Sequence, residues 1–212
     1  MRAMRESLLA LGSATLHEAQ GQAGALASAI KPLDPGRRLA GPALTVDAKP
    51  GDNLVIHYAL TVARPGDVLV VDAKGYTEAG PWGDVLTLAA QKSGISGLVI
   101  DGAVRDGDRI LSMGFPVFSR GLSIRAAQKN QPGLVNVAIV CGGIAISPGD
   151  WIMGDRDGVV AIPRESVVAV IAAAEKRESA EIALRRGIEA GKSTVELLGL
   201  RASLQRVGLE RG

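Results

Sequence analysis

Aromatic residues are scarce in this chain: Trp, Tyr and Phe occur only twice each among 212 residues. A core short of rings must be built from Val, Ile, Leu and Ala, which favours closely packed helix-on-sheet layers. A surface that stacks nucleobases is also excluded, because such surfaces set aromatics among a concentrated basic face. The charge agrees. The net value is only +2, and Arg201, Arg206 and Arg211 read as the solvated side of a last helix. No nucleic-acid partner is expected.

The single cysteine, Cys141, cannot form an internal disulfide and fits a reducing cytoplasm. Within the apolar run NVAIVCGG it reads as a buried structural thiol. Long hydrophobic runs are missing too. None approaches the ~18 residues a membrane span requires, and no charged-then-apolar leader opens the chain. The expectation is a soluble, cytoplasmic protein that does not touch a membrane. Only His17 and His57 carry imidazoles, far apart in sequence, so a zinc site built on them is not expected.

Glycine, by contrast, is abundant, with 27 copies. That is too many for a helical bundle and suits repeated strand-to-helix turns. Thr15-Leu-His-Glu18 has the spacing of a capping box and predicts a helix to about Ala27. A shorter helix is predicted over Arg5 to Leu11. Strand-like runs follow at Ala43–Asp47, Leu54–His57 and Val68–Asp72, although the second has helical spacing as well and could open a helix through Ala63. Pro-Gly-Asp recurs at 50–52, 65–67 and 148–150 as tight-turn chemistry leading into strands.

Helices are predicted after Asp84, from Asp106 to Met113 and from Glu165 to Ile188. Ser193 or Thr194 caps a last one to about Val207. Strands are predicted at Gly97–Asp101, Val117–Ser119, Asn136–Cys141, Trp151–Met153 and Val159–Ile162. Strands and helices alternate, which predicts a single α/β domain over residues 1–212, a layered sandwich with a mixed central sheet. The C-terminal helices, about 165–207, lie outside the alternation and are expected to pack on a neighbouring subunit.

The stretch Gly97-Leu-Val-Ile-Asp-Gly-Ala-Val-Arg-Asp106 carries the most chemistry. Ligands of open α/β sheets collect where strands end and helices begin, and here an apolar strand empties into a loop bearing Asp101, Arg105 and Asp106. An arginine can clamp a carboxylate or oxo group, and a neighbouring carboxylate can hold a hard cation. Asp106 could equally be no more than a helix N-cap. Gly83-Asp84 is a second helix opening, where the amides of Asp84, Val85 and Leu86 would face outward as an anion site; an ordinary Asp cap is again the competing explanation. Lys74 is the only lysine placed to form a Schiff base, and a solvated loop lysine is the better reading of it. His17 sits on the first capped helix, and His57 is expected to be satisfied in the core.

These motifs make the chain recognisable. Asp84, twenty intervening residues and then Arg105-Asp106 resemble the signature of the 4-hydroxy-4-methyl-2-oxoglutarate and 4-carboxy-4-hydroxy-2-oxoadipate aldolases, a family that shares its fold with the regulator of ribonuclease E activity. The likeness continues through ATLHEAQG, RLAGPALTV, PGDNLVIH, GDVLVVDAKG, GFPVFSRG and DRDGVVAIP.

The resemblance implies a divalent cation, Mg²⁺ or Mn²⁺, at Asp106. It implies that Arg105 contacts the substrate's oxo oxygen, that Asp84 orients a water of the ion, and that Gly83 and the Val85 and Leu86 amides hold the substrate carboxylate. It further implies a homotrimer or homohexamer in which an acid of the neighbouring chain, Glu175 or Glu178, completes the site. The implied reaction is retro-aldol cleavage of a hydroxy-oxo acid to pyruvate, with oxaloacetate decarboxylation as a second activity. The alternative is a non-catalytic regulator that acts by binding protein. A methyltransferase is a weaker reading, since no Gly-rich nucleotide turn follows the first strand. One departure stands out: where the family pattern carries an acid three residues after Asp106, this chain has Arg109, with Asp108 one place earlier.

Overall fold

In a computed structural model, which describes residues 1–209, the chain opens with helices α1 (Arg2–Leu11) and α2 (Ser13–Ala19) and the short strand β1 (Lys31–Pro32). Three strand–helix units follow: β2 (Leu39–Asp47) with α3 (Leu54–Val62), β3 (Val68–Tyr76) with α4 (Asp84–Lys92), and β4 (Gly97–Val104) with α5 (Gly107–Met113). Next come β5 (Val117–Ser119), β6 (Gly121–Leu122) and β7 (Leu134–Val135). The hairpin β8 (Ile139–Cys141) and β9 (Ile144–Ile146) precedes the antiparallel pair β10 (Trp151–Gly154) and β11 (Val159–Ile162). Helices α6 (Val167–Glu189), α7 (Thr194–Leu197) and α8 (Arg201–Arg206) end the described residues. Arg211 lies outside them.

The fold is mixed α/β. Strands order as β1-β5-β4-β3-β2-β10-β11, with β2 to β5 parallel and β1, β10 and β11 antiparallel at the two sides. The parallel centre is dictated by composition. Every residue of β4 is buried, as are the first six of β3, the pattern of strands covered on both faces. Alternation then divides the side chains. Leu44, Leu69, Val71, Leu98 and Ile100 pack against Val55 and Ile56 of α3, Leu86 and Ala90 of α4, and Ile110 of α5. Ala43, Val68, Val70 and Val99 face the opposite way, against Ile139, Cys141 and Ile146 of the β8–β9 hairpin. A third cluster seats α1, α2 and α6 on β10 and β11. Among the described residues no helix is long and apolar enough to cross a membrane.

Several local expectations fail for identifiable reasons. Thr15 is not an N-cap: α2 starts at Ser13 and its cap residue is Gly12. Ser13 instead donates its amide and hydroxyl to buried Asp155, and Glu18 pairs with Arg177 of α6. That helix stops at Ala19 rather than near Ala27. The turn at Pro50–Asp52 leads into α3 and not a strand, with Asp52 Oδ1 accepting the Leu54 amide just ahead of the helix. Only Ile139–Cys141 of the predicted 136–141 strand is extended, paired with β9 alone. Gly199, at φ 64°, breaks the last predicted helix in two, and its first half is capped by Ser193 accepting the Glu196 amide.

Candidate active site

Parallel neighbours β2, β3 and β4 each empty at the same sheet edge into α3, α4 and α5. Three helix openings therefore meet there, at Asn53, Gly83-Asp84 and Asp106, where ligands of open α/β sheets gather. Trp82 anchors the middle one. It is fully buried, stacks on Phe115 with ring centroids 6.2 Å apart, and donates Nε1–H to Thr87 Oγ1 at 2.8 Å. Burying a side chain of this size contributes roughly 3 kcal/mol. Its carbonyl accepts the Arg105 amide at 2.8 Å, which locks the end of β4 beside the start of α4.

Gly83 then lets the two openings close on each other. A Cβ built there would lie 2.3 Å from Asp106 Oδ2 and 3.2 Å from Arg105 Cγ. With only hydrogen at that position, the Asp84 amide comes within 3.4 Å of Asp106 Oδ2. Arg105 Nε stands 3.4 Å from the same oxygen. Gly83→Ala is therefore expected to push the Asp106 carboxylate aside. Backbone φ there is −149°, open to alanine, so the melting temperature should barely move while turnover falls about tenfold. A melting curve and steady-state rates on the same preparation check this.

The cap explanation for Asp106 does not hold. It occupies the N-cap of α5 with φ 58° and ψ 37°, yet its side chain makes no capping bond; the carboxylate leans instead toward the Asp84 amide and Arg105 Nε. Asp84 lies inside α4 as its first residue. Its Oδ1 accepts the Val85 amide at 2.9 Å and its Oδ2 accepts Arg109 Nη1–H at 2.8 Å. The Arg109 hydrogen bond, more than its own amide contact, holds the Asp84 carboxyl below the usual carboxylate range. Of the three amides expected to face outward, that of Val85 is already engaged. Among the described residues the Leu86 amide has no acceptor.

The cleft at these openings has a volume of about 290 Å³, and Gly83, Asp84, Val85, Leu86 and Arg105 line one side of it. The opposite wall is made by Asn53, His57 and Lys129, none of them anticipated as site residues. Asn53 donates Nδ2–H to the Pro81 carbonyl at 2.8 Å, while its Oδ1 is buried without a partner. His57 is not satisfied in the core: its Nε2 is buried without a partner as well. Burial, then the charge of Lys129, holds its pKa below the ordinary histidine value, so the ring is neutral at neutral pH. Lys129 reaches this wall because Asp52 Oδ2 accepts the amides of Asn130 and Gln131 at 2.7 and 3.0 Å. Burial opposes ionisation of Asp52, but those amides together with the Leu54 amide and the Lys129 charge outweigh it and lower its pKa.

Lys74 is not poised for covalent chemistry. Burial alone would weaken its ammonium, but ion pairs with Asp47 and Asp72, at 2.6 and 2.5 Å, raise its pKa; a Schiff-base lysine needs the opposite shift. Asp101 turns away from Asp106 to pair with Arg120 and to accept the Gly142 amide at 2.8 Å. Cys141 is buried and its thiol is pushed up by burial, as an inert structural group should be. His17 contacts the Ala23 carbonyl at 2.8 Å. Glu175 and Glu178 are not brought to the cleft within one chain. Both lie on α6, which packs on α1 and α2, and Glu178 accepts from Arg185 at 3.1 Å.

As a cation site the arrangement is open. Among the described residues no three His, Cys, Asp or Glu side chains converge. Two carboxylates beside a cleft fit a hard ion such as Mg²⁺ that keeps most of its waters, and do not fit a soft ion needing a closed cage.

Comparison with known proteins is consistent with this geometry. A family model described as RraA-like, Aldolase/RraA, matches residues 13–161. A Halalkalibacterium halodurans protein provisionally named 4-hydroxy-4-methyl-2-oxoglutarate aldolase is 41% identical over 182 residues, which is 86% of this chain and 84% of that one. Among solved structures, an uncharacterized Pseudomonas syringae protein superposes with a TM-score of 0.82 at 30% identity, covering 93% of this chain and 97% of that one. RraAS2 of Streptomyces coelicolor, described as an unusual member of the RNase ES inhibitor RraA family, gives 0.77 at 30% identity over 86% of this chain and 96% of its own.

Proposed function

The chain belongs to the RraA-like family, and from that premise we propose that it is a divalent-metal-dependent lyase that releases pyruvate from a 4-hydroxy-2-oxo di- or tricarboxylic acid. The observation that carries this reading is an open cleft lined by Asp84 and Arg105, with Asp106 beside them, its Oδ2 3.4 Å from both the Asp84 amide and Arg105 Nε. Asp106 would hold the ion directly and Asp84 would hold one of its waters. A bound Mg²⁺ or Mn²⁺ supplies Lewis-acid stabilisation of negative charge at the substrate's 2-oxo oxygen.

The protein's own groups do the rest. The Leu86 amide and the α4 N-terminus hold the carboxylate next to the oxo group. Arg105 donates to the 2-oxo oxygen and strengthens its hold as charge gathers there. A water beside Asp84 takes the proton of the 4-hydroxyl. The C3–C4 bond then breaks, C4 becomes a carbonyl, and the bonding pair moves toward the 2-oxo oxygen. A proton returned to C3 gives pyruvate. Oxaloacetate has no 4-hydroxyl to deprotonate, but breaking its C3–C4 bond with loss of CO₂ leaves the same enolate, so decarboxylation is the expected side activity.

Lys129 and the neutral His57 stand across the cleft, where the far carboxylate of such a substrate would lie. Lys129→Ala is expected to raise KM for a 4-carboxylated substrate about tenfold with kcat changed far less. The diagnostic is the split: an equal loss in kcat would move Lys129 from binding to chemistry.

Pyruvate release from 4-hydroxy-4-methyl-2-oxoglutarate and from oxaloacetate, followed with and without Mg²⁺ and a chelator, tests the reading. Metal-dependent release supports it. Absent or chelator-resistant turnover favours the other reading in this family, a non-catalytic regulator of ribonuclease activity that acts by binding protein. A trimer or hexamer in light scattering is the expected assembly, with Glu175 or Glu178 of a neighbouring copy reaching the cleft.

A further inference from the structure

Arg109, three residues after Asp106, reaches the other carboxylate of the candidate cation site. From the first turn of α5 its guanidinium crosses to α4 and donates Nη1–H to Asp84 Oδ2 at 2.8 Å. The other Asp84 oxygen already accepts the Val85 amide at 2.9 Å. Both oxygens of the carboxylate meant to orient a water of the ion are therefore engaged. Asp108, the neighbouring acid, is exposed and makes no ion pair among the described residues.

We propose that Arg109 is a resident competitor at the divalent-cation site, holding Asp84 when the ion is away and keeping the site's affinity low. The inference rests on the metal-dependent reading above. Two effects act in the same direction. A hydrated ion must share or displace the Arg109 hydrogen bond to engage Asp84. The guanidinium also places a positive charge next to a second, doubly positive one. A unit charge several ångströms from a divalent ion, screened by bulk water and salt as suits a side chain this exposed, alters its affinity by about three- to tenfold. Arg109 thus sets how readily the site fills, a positioning role exercised through Asp84 with no contact to substrate required.

Calorimetric titration with Mn²⁺ alone, without substrate, tests this on the full chain. Arg109→Gln is expected to bind Mn²⁺ about three- to tenfold more tightly than the parent, and the gain should shrink as salt rises. Arg109→Lys, which keeps the charge, should stay within about twofold of the parent. The Arg109 side chain is 75% exposed, so neither change threatens the fold. An Arg109→Gln protein that binds no more tightly, or an Arg109→Lys protein that gains as much as Gln, overturns the proposal. Asp106→Asn serves as the reference in both backgrounds. Binding lost with Asp106 but indifferent to Arg109 defeats this inference alone. Binding that survives Asp106→Asn defeats the metal-dependent reading itself.

Discussion

Asp106→Asn should lower metal-dependent pyruvate release by about a thousandfold while leaving the fold intact. The exchange keeps size and shape and removes the charge that would hold the ion. Its backbone requirement is also met. Asp106 sits in the left-handed region at φ 58° and ψ 37°, which Asn and Asp tolerate and which costs other non-glycine residues roughly 1–2 kcal/mol. Because the side chain makes no capping bond, α5 loses no hydrogen bond, and the melting temperature should shift by less than about 4 °C. Asp106→Ala would mix loss of the ligand with backbone strain, so Asn is the cleaner variant. Mn²⁺ titration on the same protein separates a lost ligand from a lost fold.

Arg105→Lys is the second large effect, expected to reduce kcat about a hundredfold despite conserving charge. The Arg105 amide is fixed by the Trp82 carbonyl at 2.8 Å and its Nε lies 3.4 Å from Asp106 Oδ2. One edge of the guanidinium therefore leans on the carboxylate that would hold the ion, leaving its other donors for the substrate's oxo oxygen. An ammonium is a point charge without that fork and cannot face both at once. KM should change less than kcat, since the hydrogen bond gains strength only as charge builds on oxygen.

The Asp84 and Arg105-Asp106 pairing was legible because its spacing is one strand–helix unit. The twenty residues between are α4 and β4, the length that carries the chain from one helix opening to the next on a neighbouring parallel strand. The buried runs of β3 and β4 and the glycines of their turns were equally plain. The opposite wall was not. Asn53 opens a third helix whose sequence, LVIHYALTV, also reads as a strand, and packing of Val55 and Ile56 on the sheet decides the matter. Lys129 lies 76 residues from Asn53 in a segment without periodicity, tethered by Asp52 through two backbone amides. A tether of that kind leaves no local pattern. Strands β1, β6 and β7, two residues each, exist only because a partner edge lies beside them. The neighbours of His57 are apolar and point to the core; its unpartnered Nε2 becomes visible only when the cleft is in place.

The most direct test of the account follows the methyl protons of pyruvate in D₂O by NMR, with the protein and Mg²⁺, and requires no knowledge of the physiological substrate. If Asp106, Asp84 and Arg105 stabilise a pyruvate enolate together, the methyl signal will decay far faster than in buffer, and chelator or Asp106→Asn will stop the decay. A methyl signal as stable with protein as without it, or one that decays equally well in chelator, contradicts the account.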